Sequence, residues 1–109
     1  MDESQMLKGL LEGCILTIIA RGETYGYSIL SDLEEAGLTD IHEGTLYPIL
    51  KRLEQKGIIK CRLGTSPYGP KRKYFSITEE GSVYIVAWKK SYQQLIASAN
   101  HIIFGDEEL

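Results

Sequence analysis

The segment GTLYPILKRLEQKG, residues 44–57, restricts the fold of this chain more than any other, because it predicts one helix with two dissimilar faces. Its apolar side chains recur three and four residues apart, the spacing of a single helical face: Leu46, Ile49, Leu50 and Leu53. This stripe predicts that the helix packs on a core. Pro48 lacks a backbone N–H, which is best tolerated in a first helical turn, so we expect the helix to begin close to Gly44 and Gly57 to cap its end.

The opposite face of the same helix combines small, hydroxyl-bearing and cationic side chains. A period of 3.6 residues places the following on it or at its edges: Gly44, Thr45, Tyr47, Pro48, Lys51, Arg52 and Gln55. Glycine and proline project little, the hydroxyl groups can donate to phosphates, and the long side chains can reach phosphates or base edges. This face therefore predicts nucleic-acid contact, with a merely solvated face as the alternative for Lys51 and Arg52.

The charge of the chain is strongly segregated, although its net charge is only −3. Residues 42–74 contain eight basic and two acidic residues, a net charge of +6, whereas the rest of the chain has four basic and thirteen acidic residues, a net charge of −9. Attraction to phosphates depends on the local field at the docking surface rather than on the total charge. The segregation thus favours a nucleic-acid partner.

The remaining sequence predicts further helices and a hairpin around this segment. A helical period extends from Gln5 to Ala20, and another runs through TYGYSILSDLEEA, where Gly37 is placed to cap the helix. IIKCRL at 58–63 and KRKYFSI at 71–77 predict two strands around the turn TSPYGP. The returning strand puts the basic triplet KRK next to the tip of the hairpin.

A long helix is predicted at the end of the sequence. Thr78 precedes two glutamates and predicts the N-cap of a helix that runs to about Phe104. Apolar side chains recur along it every three or four residues: Ile85, Trp88, Tyr92, Leu95, Ala99 and Ile102.

The order of the predicted elements is that of a winged helix-turn-helix, a mainly α fold with a small β-hairpin. In this fold the third helix lies in the major groove and the hairpin, called the wing, contacts the flanking backbone. We expect one structural unit made of a winged helix-turn-helix over residues 1–77 and a C-terminal helix over residues 78–109.

The sequence argues against several other classes of protein. A run of 18 apolar residues is absent, and MDESQ lacks the regions of a signal peptide, so we expect a cytoplasmic protein without a membrane partner. Cys14 and Cys61 have no CxxC spacing, which predicts reduced thiols and no metal site. A nucleophile, a base and an oxyanion site cannot be assembled, nor can a phosphate loop. We therefore expect no cofactor and no enzymatic activity.

Three motifs in the chain resemble those of one family. YGYSIL, EGTLYPILKRLEQKGII and GPKRKYFSITEEG are similar, in sequence and spacing, to consecutive motifs of the PadR family of bacterial transcription regulators, from about Leu7 to Trp88. The resemblance implies a homodimeric repressor that binds double-stranded DNA and reads an inverted repeat with its two winged helices. It implies DNA contacts at Thr45, Tyr47, Lys51, Arg52, Lys71, Arg72, Lys73 and Tyr74. The helical period of the third helix adds Gln55 to these predicted contacts.

The sequence departs from the family in the first strand of the wing. Family members often have an aromatic residue there, commonly Trp, whereas this chain has Cys61, Arg62 and Leu63 nearby. We therefore expect different packing under the wing.

The single helix after the wing makes the chain similar to the compact branch of the family, which includes multidrug-responsive regulators. This implies a dimer interface along the apolar positions of the final helix, from Ile85 to Ile102. It also implies an effector pocket in which Trp88 and its dimer mate face each other across a central cavity and stack on a small aromatic or planar cationic ligand. Gly9 and Gly13, four residues apart on the first helix, support this pocket because they leave room on one helix face. Interface core is the alternative for Trp88, and tight helix packing is the alternative for the two glycines.

Two alternatives concern other residues and the whole protein. Tyr25 and Tyr27 are predicted to pack between helices, with a phosphate contact through one hydroxyl as the alternative. The chain could also be a winged-helix module that binds a protein and has no operator of its own, or a sensor whose main output is ligand binding. A protein-binding wing, however, has no need of a net charge of +6 beside an acidic body.

Overall fold

The computed structural model describes residues 1–67 and 69–105, and within these ranges the backbone forms four helices and three strands. Their bounds, in chain order, are α1 (Ser4–Ala20), β1 (Thr24–Tyr25), α2 (Gly26–Glu35), α3 (Glu43–Gln55), β2 (Ile59–Ser66), β3 (Gly69–Ile77) and α4 (Glu79–Phe104). This is the expected mainly α fold with a winged helix-turn-helix and a long C-terminal helix. Tyr68 in the predicted turn and residues 106–109 of the predicted C-terminal unit lie outside the described residues.

The helix that carries the two-faced segment begins one residue earlier than Gly44, at Glu43, with an extended His42 as its N-cap. Pro48 is consequently the sixth residue of α3 and lies beyond the first turn. A proline at this position cannot donate the intrahelical bond to the Gly44 carbonyl, so the predicted start close to Gly44 is right within one residue, but it does not place Pro48 in the first turn.

Both α2 and α3 end at a glycine with a left-handed backbone. Gly37 has φ +99° and Gly57 has φ +76°, a conformation that costs a residue with a Cβ about 1–2 kcal/mol. The next residue then donates its N–H back into the helix: Leu38 to the Leu33 carbonyl at 2.9 Å, and Ile58 to the Leu53 carbonyl at 3.0 Å. The predicted glycine caps are confirmed.

The β-structure is a three-stranded antiparallel sheet in the order β1-β3-β2 rather than a two-stranded hairpin. β1 pairs Thr24 with Phe75 and Tyr25 with Tyr74, so it joins the wing to the start of α2. Tyr25, which was predicted to pack between helices, lies in this strand instead, and its ring meets Tyr74 of β3. Two residues are too few for an alternating pattern, which is why the sequence did not predict β1.

The core lies between α1, α2 and α3 and is closed by the sheet and by the first half of α4. Its fully buried side chains come from these elements: Ile15, Leu16, Ile19, Ile29, Leu33, Leu46, Leu50, Leu53 and Ile59. The predicted leucine stripe of α3 is therefore confirmed as a core face. Phe75 from β3 and Ile85 from α4 join the same cluster.

Ile85 does not lie in a dimer interface along the final helix, although the sequence predicted that it would. It is only 7% exposed and packs in the core of its own chain, because α4 lies against α1 at this level. Its side chain is therefore not at a surface that a second copy could contact.

The N-terminus of α4 is fixed by Thr78, the predicted N-cap. Its Oγ1 accepts the Gly81 N–H at 3.0 Å and donates toward the Gly57 carbonyl at 2.6 Å. A Cβ on Gly81 would lie 2.1 Å from the Ile58 carbonyl oxygen, so α4 can start here only with a glycine at that position. None of the described helices is long and apolar enough to cross a bilayer.

Replacing Thr78 with alanine should lower the free energy of unfolding by about 0.5–2 kcal/mol, because the Gly81 N–H loses its acceptor. Urea unfolding followed by circular dichroism measures this. Ser91→Ala, at an exposed position within the same helix, should leave the free energy nearly unchanged. Equal effects of the two substitutions would contradict a capping role for Thr78.

Candidate nucleic-acid interface

The outward face of α3 follows from the burial of its other face. Because Leu46, Leu50 and Leu53 are fully buried, the opposite side of the helix projects into solvent. The predicted contact residues Thr45, Lys51 and Gln55 are all exposed, as are Gly44 and Pro48 between them. Small side chains therefore form the N-terminal end of this surface, and long polar side chains follow further along the helix.

Tyr47 occupies the edge of this face that is closest to α2. Its hydroxyl lies over Gly26, where a Cβ would come within 2.3 Å of the Tyr47 Oη. Tyr47 as a whole is nevertheless 43% exposed. Gly26 is the first residue of α2, and the close approach therefore puts the Tyr47 hydroxyl beside the N-terminus of that helix.

A cleft of about 280 Å³ connects α3 with α2 and the wing, and we call it the tyrosine cleft. It is lined by Tyr25, Gly26, Tyr27, Tyr47, Arg72 and Lys73. Three phenol groups, two cations and a helix N-terminus thus face one space, a combination that suits an anion such as a phosphate. Tyr27 is 75% exposed, so its predicted packing between helices is wrong.

The outer face of the sheet carries a row of stacked side chains that leads to this cleft. The Arg72 guanidinium lies 4.1 Å from the centroid of the Tyr25 ring, and Tyr25 meets Tyr74 edge to face at 5.9 Å. Arg62 covers the Tyr74 ring at 4.7 Å. We call these residues, together with Glu23, the sheet stack.

Glu23 ends the sheet stack through a bidentate contact with Arg62. Arg62 donates from Nε to Glu23 Oε2 at 2.7 Å and from Nη2 to Glu23 Oε1 at 2.6 Å. These hydrogen bonds hold the pKa of the Glu23 carboxyl below its usual range, and Glu23 in turn raises the pKa of Arg62. The Glu23 carboxyl therefore takes up a proton at a lower pH than an ordinary glutamate does.

The sequence suggested neither partner of this ion pair as a functional residue. Arg62 was noted only as a departure from the family, and Glu23 lies 39 residues away in the chain. Two single charged residues so far apart form no sequence motif, so their contact is visible only in the folded structure. Tyr74, a predicted contact residue, is half-buried with its ring between Arg62 and Tyr25.

The predicted contact residue Arg52 lies at another edge of α3. Its Nη2 lies 3.9 Å from Oε2 of Glu12 on α1, and Tyr84 of α4 donates its hydroxyl to the same carboxylate at 3.1 Å. Desolvation first, and then the charge of Glu12, raises the pKa of Tyr84. Arg52 is thus exposed but lies beside a carboxylate of α1, and Lys71 and Lys73 of the wing are also exposed.

A second cleft, of about 380 Å³, lies between α1, the end of α2 and α4, and we call it the Trp88 cleft. The Trp88 ring packs on Gly13, where a Cβ would come within 2.1 Å of the indole, and it stacks on Tyr92 at 5.5 Å with an interplanar angle of 8°. Burial raises the pKa of the Cys14 thiol in its wall. The structure brings Gly13 and Trp88 together, as predicted, but Gly9 is exposed and does not line this cleft.

Comparison with known proteins relates both the sequence and the fold to one group. Residues 15–87 match the family described as "Transcriptional regulator PadR-like family". A crystal structure of a PadR-like transcriptional regulator from Bacillus cereus is 41% identical, superposes with a TM-score of 0.82, and is matched over 94% of this chain and 99% of its own. An uncharacterised protein of Lysinibacillus sphaericus is 33% identical over 97 residues, which are 87% of this chain and 89% of that protein.

One of the solved structures contains nucleic acid. It is Bacillus subtilis PadR in complex with operator DNA, 28% identical to this chain with a TM-score of 0.65. The match covers 72% of this chain and 45% of that protein.

The two glycines of α1 should respond in opposite ways to alanine. Gly13→Ala should lower the free energy of unfolding by about 1–3 kcal/mol and change the Trp88 emission, because its Cβ overlaps the indole. Gly9→Ala, with no heavy atom of the described residues within 4 Å of the new Cβ, should raise the free energy by about 0.5–1 kcal/mol. Urea unfolding monitored by tryptophan fluorescence distinguishes the two, and a stable Gly13→Ala with unchanged emission would contradict the packing described.

Proposed function

Because the chain belongs to the PadR-like family of transcriptional regulators, we propose that it is a homodimeric repressor that binds double-stranded DNA at an inverted-repeat operator. The observation that carries this proposal is the tyrosine cleft. There Tyr47 at the edge of the exposed α3 face, the N-terminus of α2 and the basic strand of the wing border one concave surface.

The exposed face of α3 is suited to the major groove, which is about 12 Å wide and admits one helix. Gly44 and Pro48 keep the N-terminal end of this face low, so the backbone can approach the base pairs closely. Lys51 and Gln55 project further along it, and lysine and glutamine side chains bond to guanine and adenine edges respectively. Thr45 and Tyr47 supply hydroxyl donors at the margins.

The tyrosine cleft is suited to the phosphate backbone next to that groove. Tyr27 and Tyr47 offer hydroxyl groups, Lys73 offers a cation, and the first N–H groups of α2 have no intrahelical partner. Such contacts fix the register of a protein on the duplex without reading sequence. Lys71, further along the wing, adds an exposed charge for the flanking backbone.

The role of Arg52 in this proposal is more peripheral than that of Lys51. Its guanidinium lies beside Glu12, which offsets part of its positive field at the DNA surface. We therefore assign sequence reading to the centre of the α3 face and a contact at the edge to Arg52.

The charge distribution also favours DNA over a protein partner. Basic residues concentrate between His42 and Tyr74, in and around α3 and the wing, while the rest of the chain is acidic. A wing that docks a protein does not require that segregation. The solved complex of a family member with operator DNA supports the same choice.

A second copy of the chain is the proposed partner of the far half of α4. Tyr92, Leu95, Ala99 and Ile102 recur at alternating spacings of three and four residues, and we call them the distal stripe. Leu95 is 70% exposed and Ile102 is 82% exposed, which is unfavourable for a monomer in water. A two-fold contact along this stripe would cover it and place two α3 helices on one duplex, in successive major grooves about 34–36 Å apart.

The Trp88 cleft is the proposed site of an effector that relieves repression. Trp88 and Tyr92 present stacked aromatic rings beside a mostly apolar lining, and the charged residues Asp32, Arg21 and Lys89 also border the space. A small flat aromatic molecule, or a planar cation paired with Asp32, fits this chemistry. Because Tyr92 also belongs to the distal stripe, a ligand here would touch the proposed dimer contact.

Neutralising the DNA-facing lysines should weaken DNA binding and its dependence on salt. Lys51→Ala and Lys73→Ala should each reduce the slope of log K against log salt by about 0.9 if they contact one phosphate apiece. Fluorescence anisotropy with a labelled duplex, enriched by the wild-type protein from a random pool, measures this. Lys90→Ala, an exposed lysine on α4, is the matched control and should change neither value. Equal behaviour of all three variants would contradict the proposed surface.

Placing a charge in the distal stripe should dissociate the proposed dimer. Leu95→Glu and Ile102→Glu would each bury an unpaired carboxylate in the contact, so sedimentation equilibrium should give the monomer mass. Gln93→Glu adds the same charge on the opposite side of α4 and should leave the dimer intact. A dimer that persists in Leu95→Glu and Ile102→Glu would overturn this interface.

A further inference from the structure

The sheet stack is a continuous chain of contacts that starts far from α3 and ends beside it. Glu23 binds Arg62, Arg62 covers Tyr74, Tyr74 meets Tyr25 and Arg72 lies over Tyr25. Arg72 and Tyr25 also line the tyrosine cleft together with Tyr47. A side chain at one end of the sheet is thereby connected to Arg72, a predicted DNA contact that lines the tyrosine cleft.

The strand register holds these side chains on one face. Tyr74 pairs with Arg62 on β2 and with Tyr25 on β1, and Arg72 pairs with Gly64. Paired residues of antiparallel strands project to the same side of a sheet. The stack is therefore a property of the register and not of a chance choice of rotamers.

Gly64 shows how closely the stack is packed. A Cβ at this position would lie 2.6 Å from the Tyr74 ring and 2.7 Å from Nη1 of Arg62. The space above β2 is occupied by the guanidinium and the phenol ring, and only a glycine leaves room for both.

We propose that Glu23 and Arg62 are positioning residues for DNA binding, which act through Tyr74 and Tyr25 to hold Arg72 of the wing in the tyrosine cleft. This inference rests on the proposed DNA-binding function. Arg62 is not itself assigned to DNA, because its Nε and Nη2 already bind Glu23.

The value of the ion pair lies in geometry rather than in stability. Both side chains are substantially exposed, and exposed ion pairs contribute little to the free energy of unfolding. Only arginine can at once form a bidentate contact with a carboxylate and lay its flat guanidinium on a ring. The presence of an arginine here therefore points to orientation of Tyr74.

Neutralising Glu23 changes DNA affinity in opposite directions depending on whether Glu23 acts only through its charge or also as a positioning residue. The direction of the change therefore tests the inference. A carboxylate next to a basic wing repels phosphates, so its neutralisation should strengthen DNA binding if it has no positioning role. If it positions Arg72 through the stack, the same substitution should weaken binding.

The first experiment compares Glu23→Gln and Arg62→Lys with wild type, using anisotropy on the duplex enriched by the wild-type protein. Each variant should bind about three- to fivefold more weakly, the scale of one exposed ion pair or cation–π contact. Glu54→Gln, an exposed carboxylate of α3 in the same basic segment, should bind slightly more tightly and so calibrates the effect of charge. Thermal unfolding midpoints close to wild type verify that the variants are folded.

The second experiment tests whether Glu23 acts through Arg72. In an Arg72→Gln background, adding Glu23→Gln should weaken binding no further, because the side chain that Glu23 positions is gone. An additive loss in the double variant, or tighter binding by Glu23→Gln alone, would overturn the inference. Failure of the wild-type protein to enrich any duplex would instead overturn the proposed function, so the two failures are distinguishable.

Discussion

Burial of the leucine face of α3 is the constraint on which the rest of the structure depends. Leu46, Leu50 and Leu53 pack fully into the core formed with α1 and α2, and this fixes the rotation of α3 about its axis. Once that rotation is set, Lys51 and Gln55 must project outward, and the low edge at Gly44 and Pro48 must face solvent with them. A helix that is slim and cationic on its free side is thus a consequence of core packing.

The wing depends on a smaller contact, the pairing of β1 with β3. Thr24 and Tyr25 connect α1 to α2, and by pairing with Phe75 and Tyr74 they attach the wing directly to the start of α2. Phe75 enters the core on one face of the sheet while Tyr74 joins the sheet stack on the other. The basic strand is thereby held at a fixed place relative to α3, which is the arrangement that one concave phosphate-binding surface requires.

The sequence predicted the parts of this molecule that depend on local periodicity and capping. The leucine stripe of α3, the glycine caps at Gly37 and Gly57 and the Thr78 N-cap are all local signals, and the structure confirms them. Features that depend on contacts between distant segments were not predictable in this way. β1 is too short to have a pattern, Glu23 and Arg62 are 39 residues apart, and Ile85 is buried by α1 although its helical period also suits an interface.

We propose above all that α3, the start of α2 and the wing form one DNA-binding surface. Amide NMR spectra of the wild-type protein, recorded with and without a duplex enriched from a random pool, test this most directly. We expect the largest shift changes at residues 25–27, 44–55 and 69–74, three segments that meet only in the folded chain. Changes confined to α4, or changes at 44–55 without the other two segments, would contradict a single composite surface.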